Sequence, residues 1–334
     1  MKNLYLIIFY LLVISFSANA QNKTELKFNE NGEFKVVQFT DTHIDFTSNS
    51  NLNVYEIMKG VVEIEKPDFV ILTGDIITQN NPQDAYQRLE GLFSEAKIPW
   101  AMVFGNHDSQ SNLSREDLAK LLQNFPMCLN NDKGETVGNS NFVLPVYGKN
   151  KKTEALLYCM DSNSYSTLKP TVDGYGWFDF SQVNWYQEKS RNYTLANNGN
   201  PLPALAFFHI PLPEYYNAWK NKVNRPIGVK FEDECSPDIN TGMFSAMLES
   251  GDVMGTFVGH DHINDYIGVH YNIALAYGRV TKVMRGRRDP KAGGRVIVLK
   301  EGERSFDTWI RDLNGKKELD CSWPGSFSNV PKKK

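Results

Sequence analysis

Aspartate, asparagine and histidine recur in this 334-residue chain directly after short apolar runs. In the first case, FKVVQFTDTHID, an alternating apolar run leads into Asp41 and His43. Four later segments end in the same way: FVILTGD, AMVFGNHD, ALAFFHIP and GTFVGHDHIND. They contribute Asp75, Asn106, His107, Asp108, His209, His260 and His262. Five of the six histidines therefore follow a predicted strand.

This mixture of side chains predicts a metal site. In open α/β sheets, ligands bind at the carboxyl ends of the strands. Imidazole and carboxylate together suit manganese, iron and zinc, whereas calcium prefers oxygen alone and structural zinc prefers thiolates. The candidates are too many for one ion. Two ions about 3.5–4 Å apart would form the clamp used in phosphoryl displacement. Gly74, Gly105 and Gly259 each precede a candidate ligand, where a sharp turn off a strand favours glycine.

The elements that must position these residues alternate between strand and helix. Helical spacing occurs at residues 54–61, at residues 118–125 behind the capping pair Ser114 and Asp117, and at residues 243–248. Such alternation at roughly 30-residue intervals is typical of parallel βαβ units. The later runs YIGVHYNIALAY and RVIVL lack helices between them and indicate a mixed or antiparallel sheet. We therefore predict an α/β fold in which two packed mixed sheets are flanked by helices, the α/β/β/α sandwich.

The N-terminus has the features of a secretory signal peptide. Lys2 precedes an apolar run at residues 4–16, and Ala18 and Ala20 fit the small-residue rule for cleavage before Gln21. We therefore predict cleavage between Ala20 and Gln21 and a periplasmic or secreted protein. The 13-residue apolar run is too short to span a bilayer comfortably. No membrane span is expected in the mature chain.

After the signal peptide of residues 1–20, we predict a single catalytic domain over residues 21–334, since no repeat or low-complexity linker divides it. The mature chain keeps 35 basic and 39 acidic residues, a net charge of −4. This charge does not suit a nucleic-acid backbone or an anionic membrane. No basic cluster lies beside the motifs, which argues against long nucleic acid as a partner. The oligomeric state is left open.

Export implies an oxidising compartment, in which four cysteines could form up to two disulfides in three pairings. Cys159 lies in the apolar run ALLYCM and is predicted to be a buried free thiol. Cys235 and Cys321 lie in polar, loop-like sequence and are the favoured pair. Cys128 is the fourth cysteine, and its pairing is left open.

The motifs D-x-H, G-D, G-N-H-D, a lone histidine and G-H-x-H, in this order, resemble the calcineurin-like metallophosphoesterase superfamily. The segments YGWFDFSQVNWY, FFHIPLPEYY, CSPDINTG and GHDHINDY resemble its purple-acid-phosphatase-like branch that lacks the extra N-terminal domain. The resemblance implies two metal ions. Its ligands would be Asp41, His43 and His262 for the first ion, Asn106, His209 and His260 for the second, and Asp75 as a bridge.

The resemblance also implies catalytic roles. A metal-bridging hydroxide would attack phosphorus, His107 would bind and protonate the leaving oxygen, and Asp108 would orient the His107 ring. Purple acid phosphatases carry a tyrosine three residues after the bridging aspartate, where this chain has Thr78. We therefore expect a pair of divalent ions (manganese, iron or zinc) and no purple chromophore.

Hydrolysis of small phosphate monoesters is the first functional prediction. Phosphodiester cleavage, including that of cyclic nucleotides, is an alternative that would require a wider groove. A third possibility is a metal-stabilised scaffold that binds a partner without turnover; such scaffolds usually lose a ligand or the proton donor, and this chain keeps all of them.

Several residues outside the motifs have two interpretations each. Asn163 and Tyr165 follow a strand and either reach the pocket mouth or form a turn. Tyr215, Tyr216 and Trp177 suit packing as well as a substrate platform. Further candidates are Arg225 and Arg279 as phosphate clamps or solvated arginines, and His270 as a packed or surface histidine.

Overall fold

The computed structural model describes residues 24–49, 51, 53–131, 136–284, 286 and 290–327, so the expected signal peptide lies outside the described residues. The strands are β1 (Leu26–Lys27), β2 (Glu33–Phe39), β3 (Phe69–Thr73), β4 (Trp100–Val103), β5 (Phe142–Tyr147), β6 (Thr153–Cys159), β7 (Ala204–Phe207), β8 (Ile227–Val229), β9 (Val253–Val258), β10 (Asp265–His270), β11 (Ile273–Tyr277), β12 (Gly293–Lys300), β13 (Phe306–Asp312) and β14 (Lys317–Trp323). The α-helices are α1 (Val54–Glu65), α2 (Gln83–Ala96), α3 (Arg115–Gln123), α4 (Phe180–Ala196), α5 (Glu214–Trp219) and α6 (Met243–Ser250).

The strands form two mixed sheets. The eight-stranded sheet has the order β1-β5-β6-β7-β9-β11-β10-β8, and the six-stranded sheet has the order β14-β13-β12-β2-β3-β4. Parallel pairing joins β2 to β3, β3 to β4, and β7 to both β6 and β9. The late strands β10, β12, β13 and β14 pair antiparallel with their partners, whereas β11 pairs antiparallel with β10 and parallel with β9. Of the two predicted alternatives, a mixed or an antiparallel sheet, the sheets are mixed.

Three apolar cores separate four layers. The central core joins the two sheets, with Phe34 and Ile71 from one sheet against Phe207 and Phe257 from the other. A second core packs α1, α2 and α3 on the six-stranded sheet, and a third packs α4, α5 and α6 on the eight-stranded sheet. These four layers confirm the predicted α/β/β/α sandwich. The layers form because each sheet is apolar on both faces, so that each face must be covered.

The predicted helices are also confirmed. α1 buries the predicted apolar stripe, and α6 ends at Gly251, which has a left-handed φ of 69°. At the start of α3, Ser114 Oγ accepts a hydrogen bond from the Asp117 backbone N–H, which satisfies one of the free donors of the first turn. No helix in the described part of the chain is both long and apolar enough to cross a membrane.

The predicted disulfide between Cys235 and Cys321 is wrong. All four cysteines lie in the described residues; Cys235 and Cys321 are free thiols, as is Cys159, which is buried as predicted. Cys321 does not lie in a loop; it lies in β14 and is buried in the core between the sheets. The alternation of exposed and buried residues in KELDCSW made an edge strand look like polar loop sequence.

Candidate metal centre

The candidate ligands all follow parallel strands of the two sheets. In the six-stranded sheet, β2 leads to Asp41 and His43, β3 leads to Asp75, and β4 leads to Asn106. In the eight-stranded sheet, β7 leads to His209, and β9 leads to His260 and His262. The site therefore forms where the carboxyl ends of both sheets meet, the position predicted from the sequence.

Hydrogen bonds between these loops fix the site. The Asp41 backbone N–H donates to Gly74 O (3.1 Å), and the His43 backbone N–H donates to Asp75 O (3.0 Å). Between the sheets, the fully buried Gln38 donates from Nε2 to Thr73 Oγ1 (2.8 Å) and to Val258 O (3.0 Å). Three ligand-bearing strands thus share one buried amide, which holds the ends of the sheets in register.

Four of the candidate ligands have left-handed backbone conformations that side chains rarely adopt. The φ angles are 54° at Asp41, 44° at His43, 54° at Asp75 and 77° at His260. Such residues cost of order 1–3 kcal/mol each and cluster at functional sites, where the surrounding structure enforces them. Their concentration in three neighbouring loops marks this part of the molecule as functional.

The three glycines before ligands are required for two different reasons. Gly74 has a φ of 89° and makes the sharp turn expected from the sequence. The other two allow close approach. A Cβ at Gly105 would lie 2.2 Å from Asp75 Oδ1, and a Cβ at Gly259 would lie 2.0 Å from Thr40 Oγ1. The expected turn is therefore wrong for these two positions.

Asp41, His43 and His262 form the first group of candidate ligands. Their ligand atoms lie within 4.8 Å of one another. The two Nε2 atoms of the histidines are 3.2 Å apart, and His262 Nε2 is 3.4 Å from Asp41 Oδ1. The other carboxylate oxygen, Asp41 Oδ2, accepts hydrogen bonds from Thr40 Oγ1 (2.8 Å) and the His260 backbone N–H (3.0 Å). This leaves Oδ1 directed at the imidazoles.

Asp75, His209 and His260 form the second group, with ligand atoms again within 4.8 Å of one another. Asp75 lies between the groups, because its Oδ2 is 3.3 Å from His209 Nε2 and 3.6 Å from His43 Nε2. The Nδ1 atom of His260 lies 3.3 Å from His209 Nε2. His209 is fixed from behind, since its Nδ1 lies 2.7 Å from Thr73 O, the outer contact typical of ligating histidines.

The donor atoms fit metal ions. Buried polar atoms normally have hydrogen-bond partners, yet Asp41 Oδ1 and Asn106 Oδ1 are buried and bond to no described residue. Asn106 Nδ2 donates to Tyr165 Oη (3.2 Å), which turns the amide oxygen away from the phenol and frees it as a ligand. Divalent cations would bind this set of ligand atoms, which consists of two closely spaced pairs of ring nitrogens and two oxygens without hydrogen-bond partners.

The electrostatics of the protein groups agree with this interpretation. Burial alone would raise the pKa of the Asp41 and Asp75 carboxyls, but the neighbouring imidazoles hold both well below their usual range. Burial would lower the pKa of His209, but Asp75 raises it to about 10. Burial lowers the pKa of His43 and of His260 to about 3. Because ligating imidazoles must be deprotonated, a cation here would replace the proton on His209.

His107 lies at the edge of the two groups, half-buried, with its ring centroid 5.3 Å from that of His43. Its backbone N–H donates to Asp75 Oδ1 (2.8 Å). The orienting role predicted for Asp108 is wrong. Its carboxylate accepts three backbone N–H bonds, from Asp75 and Gly105 to Oδ2 and from Ile76 to Oδ1. Burial raises the pKa of Asp108 to about 6, with the Asp75 carboxylate adding to the effect. Asp108 therefore joins the loops after β3 and β4.

Some candidates outside the motifs belong to the core. Tyr215 is fully buried and bonds Thr256, and Arg279 is buried against Asp265 and Glu318, so neither faces the metal centre. His270 ends β10 and packs near Phe244 and Tyr271.

Two residues near the site were not predicted as site residues, although Tyr175 begins the segment YGWFDFSQVNWY. Tyr175 packs edge-on against His260, with ring centroids 4.4 Å apart. Lys282 follows Thr281, whose backbone N–H donates to Thr40 O (3.0 Å), one residue before Asp41. Lys282 is half-buried and forms no ion pair with a described carboxylate. Burial lowers its pKa, and the carboxylates of Asp41 and Asp75 act in the opposite direction.

Fold and site together define a protein of the metallophosphoesterase class. The chain belongs to the calcineurin-like phosphoesterase family, whose model matches residues 34–264. The resemblance stated from the motifs is therefore confirmed.

Individual relatives agree with this assignment. Probable inactive purple acid phosphatase 29 of Arabidopsis thaliana is 31% identical over 91% of this chain and 86% of that protein. The Saccharomyces cerevisiae phosphatase DCR2 is 31% identical over 87% of this chain and 55% of that protein. A crystal structure of a dimetal phosphatase from Danio rerio shares the fold, with a TM-score of 0.56 and 14% identity over 86% of this chain and 98% of that chain.

Proposed function

We propose that this protein hydrolyses small phosphate monoesters at a centre of two divalent ions. One observation carries the proposal: six ligand-type side chains from four strand ends converge in two groups that Asp75 joins, and after a fifth strand the buried Asn106 Oδ1 has no described hydrogen-bond partner. Asp41, His43 and His262 would hold one ion, Asn106, His209 and His260 the other, and Asp75 would touch both. Bound divalent ions would supply Lewis-acid stabilisation of the phosphate and lower the pKa of water.

The protein's own residues would bind and orient the ester. Lys282 would contribute a positive charge near Asp41 and Asp75, whose carboxylates act on its pKa. His107 would donate a ring N–H to the leaving oxygen, since its backbone is anchored to Asp75 and its ring lies beside that of His43. Asp108 would keep the two loops in place. We also propose export of the mature chain, for which the N-terminal sequence is the support.

A non-catalytic scaffold is the alternative, because three relatives bear names that call them probable inactive purple acid phosphatases. That description is of those proteins. In this chain, the seven candidate ligands and His107 are all present, and buried Asp41 Oδ1 and Asn106 Oδ1 have no hydrogen-bond partner among the described residues. Unpartnered buried oxygens are costly unless a metal binds them, so they favour a metal centre, and the retained His107 is what favours turnover over a metal-stabilised scaffold.

Metal removal tests the proposal. Chelation of the purified protein should lower hydrolysis of phenyl phosphate by more than roughly 10³-fold, because Lewis-acid stabilisation supplies several kcal/mol. Adding back manganese, ferrous iron or zinc should restore the rate. Circular dichroism should show that the chelated protein keeps its fold.

Diphenyl phosphate serves as the matched diester and should turn over more slowly than phenyl phosphate. Faster cleavage of the diester would favour the phosphodiesterase alternative. Absence of turnover on any ester in metal-loaded protein would leave the scaffold as the better explanation.

The role of Lys282 gives a separate prediction. Lys282→Met keeps the length and apolar stem of the side chain but removes its charge, so inorganic phosphate should inhibit the variant about tenfold more weakly. The bound metal should not fall. Lys59→Met, at an exposed position on α1, is the matched control and should leave inhibition unchanged. Equal inhibition of the Lys282 variant and the wild type would exclude a phosphate contact.

A further inference from the structure

The segment of residues 163–177 forms one wall of the metal centre. Its two arms, residues 163–166 and 174–177, are joined by an antiparallel β-bridge between Tyr165 and Tyr175. Two backbone hydrogen bonds support this bridge, from Ser166 N–H to Gly174 O (3.0 Å) and from Gly176 N–H to Ser164 O (3.0 Å). The arms are therefore fixed relative to each other. We call this segment the tyrosine hairpin.

The tyrosine hairpin touches two candidate metal ligands. Asn106 is held through its backbone carbonyl and its side-chain NH₂ group: Ser164 Oγ donates to the backbone O (3.2 Å), and Tyr165 Oη accepts from Nδ2 (3.2 Å). On the other arm, Tyr175 lies edge-on to His260. The ring of Tyr165 stacks on that of Tyr175, with centroids 5.9 Å apart and an angle of 23° between the planes. Tyr165 nevertheless remains 44% exposed.

A cleft of about 270 Å³ opens beside the hairpin and is lined by Ser164 and Tyr165, the two residues that contact the candidate ligand Asn106. Its wall also includes Val137, Thr167 and Trp177. Pockets for drug-sized ligands are usually about 300–1,000 Å³, so this cleft has room for one small ring system and none for a polymer.

The cleft offers little charge to a ligand. Arg115, the one cation among the described residues that line the cleft, is already committed, because its Nη2 pairs with Asp161 (2.5 Å) and its Nη1 donates to Gly105 O (2.7 Å). Asp179 accepts from Ser181 at the start of α4. Outside the cleft, Lys169 lies 5.7 Å from the Tyr165 ring centroid and pairs with Asp173 at the surface. The lining therefore suits an uncharged aromatic group.

We propose that this cleft is a subsite for the leaving group, and that the protein prefers phosphate esters of aryl or benzyl alcohols. The inference rests on the proposed phosphoesterase function. Tyr165 Oη lies within hydrogen-bond distance of the candidate ligand Asn106, so a ring packed on Tyr165 would lie near a phosphate bound at the metal centre. A nucleobase, which a ribose separates from the phosphate, fits this spacing less well than a ring one or two bonds from the ester oxygen.

Binding of two non-hydrolysable phosphonates tests the subsite without relying on turnover. Benzylphosphonate and cyclohexylmethylphosphonate have the same charge and similar size, but only the first has an aromatic face. Calorimetry on the manganese-loaded protein should give a dissociation constant about three- to tenfold lower for benzylphosphonate, the range expected for an aromatic pair. Tyr165→Leu should bring the ratio of the two dissociation constants near one. Tyr165→Phe should keep the preference for benzylphosphonate, although it loses the hydrogen bond to Asn106.

Tyr216→Leu is the matched control, because Tyr216 is 49% exposed on α5 and lies outside the cleft. This variant should keep the wild-type ratio. Equal affinity of the wild type for both phosphonates, or an undiminished ratio in Tyr165→Leu, would overturn the subsite and leave the phosphoesterase proposal intact. Failure to bind either compound, with no hydrolysis of any ester, would overturn both. Faster hydrolysis of adenosine monophosphate than of tyrosine phosphate would reject the aryl preference.

Discussion

Asp75→Asn is expected to remove metal from both positions and to lower turnover by roughly 10³-fold or more. The reason is the position of one atom. Asp75 Oδ2 lies 3.3 Å from His209 Nε2 and 3.6 Å from His43 Nε2, so it faces both groups of ligands. Asparagine keeps the side-chain shape and an oxygen for the His107 backbone N–H, but it loses the negative charge that two cations would share.

Elemental analysis of the folded variant measures this effect. His43→Ala, which changes the first group only, should lose mainly one ion. Asp252→Asn is the matched control, because Asp252 is a buried carboxylate outside the site that accepts from Tyr158 Oη (2.7 Å). Its metal content should equal that of the wild type. Full double occupancy in Asp75→Asn, or a single ion in fully loaded wild-type protein, would contradict the bridging role.

The architecture was largely predictable because hydrophobic periodicity records which faces are buried. The strands that carry ligands are short apolar runs, and their parallel pairing follows from the helices between them. Cys321 shows the limit of such reasoning. In the edge strand β14, only Cys321 and Trp323 are buried, and the polar first half of the strand gives too weak an alternation to distinguish a strand from a loop.

The candidate ligands were predictable because they directly follow strands, whereas the residues around them were not. Lys282 reaches the site from a segment without a motif, and for Tyr165 the sequence left a position at the pocket mouth and a turn both open; its contact with Asn106 exists only in the folded chain. Asp108 was misassigned for a related reason. Proximity in sequence suggested His107 as its partner, but three buried backbone N–H groups needed an acceptor, and the carboxylate satisfies them.

Asp108→Asn should therefore destabilise the fold without altering proton donation. The amide oxygen can replace one carboxylate oxygen, but its NH₂ group would face a backbone donor, at a cost of about 1–3 kcal/mol. We expect a lower free energy of unfolding and an unchanged dependence of rate on the leaving group. This variant serves as the reference for changes at His107.

His107→Ala is expected to lose roughly 10²–10⁴ in turnover on a poor leaving group such as an alkyl phosphate, while keeping its metal. A nitrophenolate departs without a proton, so hydrolysis of nitrophenyl phosphate should fall much less. The variant should therefore show a steeper dependence of rate on leaving-group pKa than the wild type. Rates for a series of aryl and alkyl phosphates, together with metal analysis, measure that slope.

The slope separates proton donation from a structural role. Loss of a merely structural contact would lower every rate by a similar factor, because it disturbs the site before the leaving group departs. His270→Ala is the matched control, since His270 packs against Tyr271 outside the metal centre and should leave both rate and slope unchanged. If plots of log rate against leaving-group pKa are parallel for His107→Ala and the wild type, proton donation is rejected. His107 would then be a residue that binds phosphate or supports the loop. A steeper line with both ions retained would assign the proton to the His107 ring.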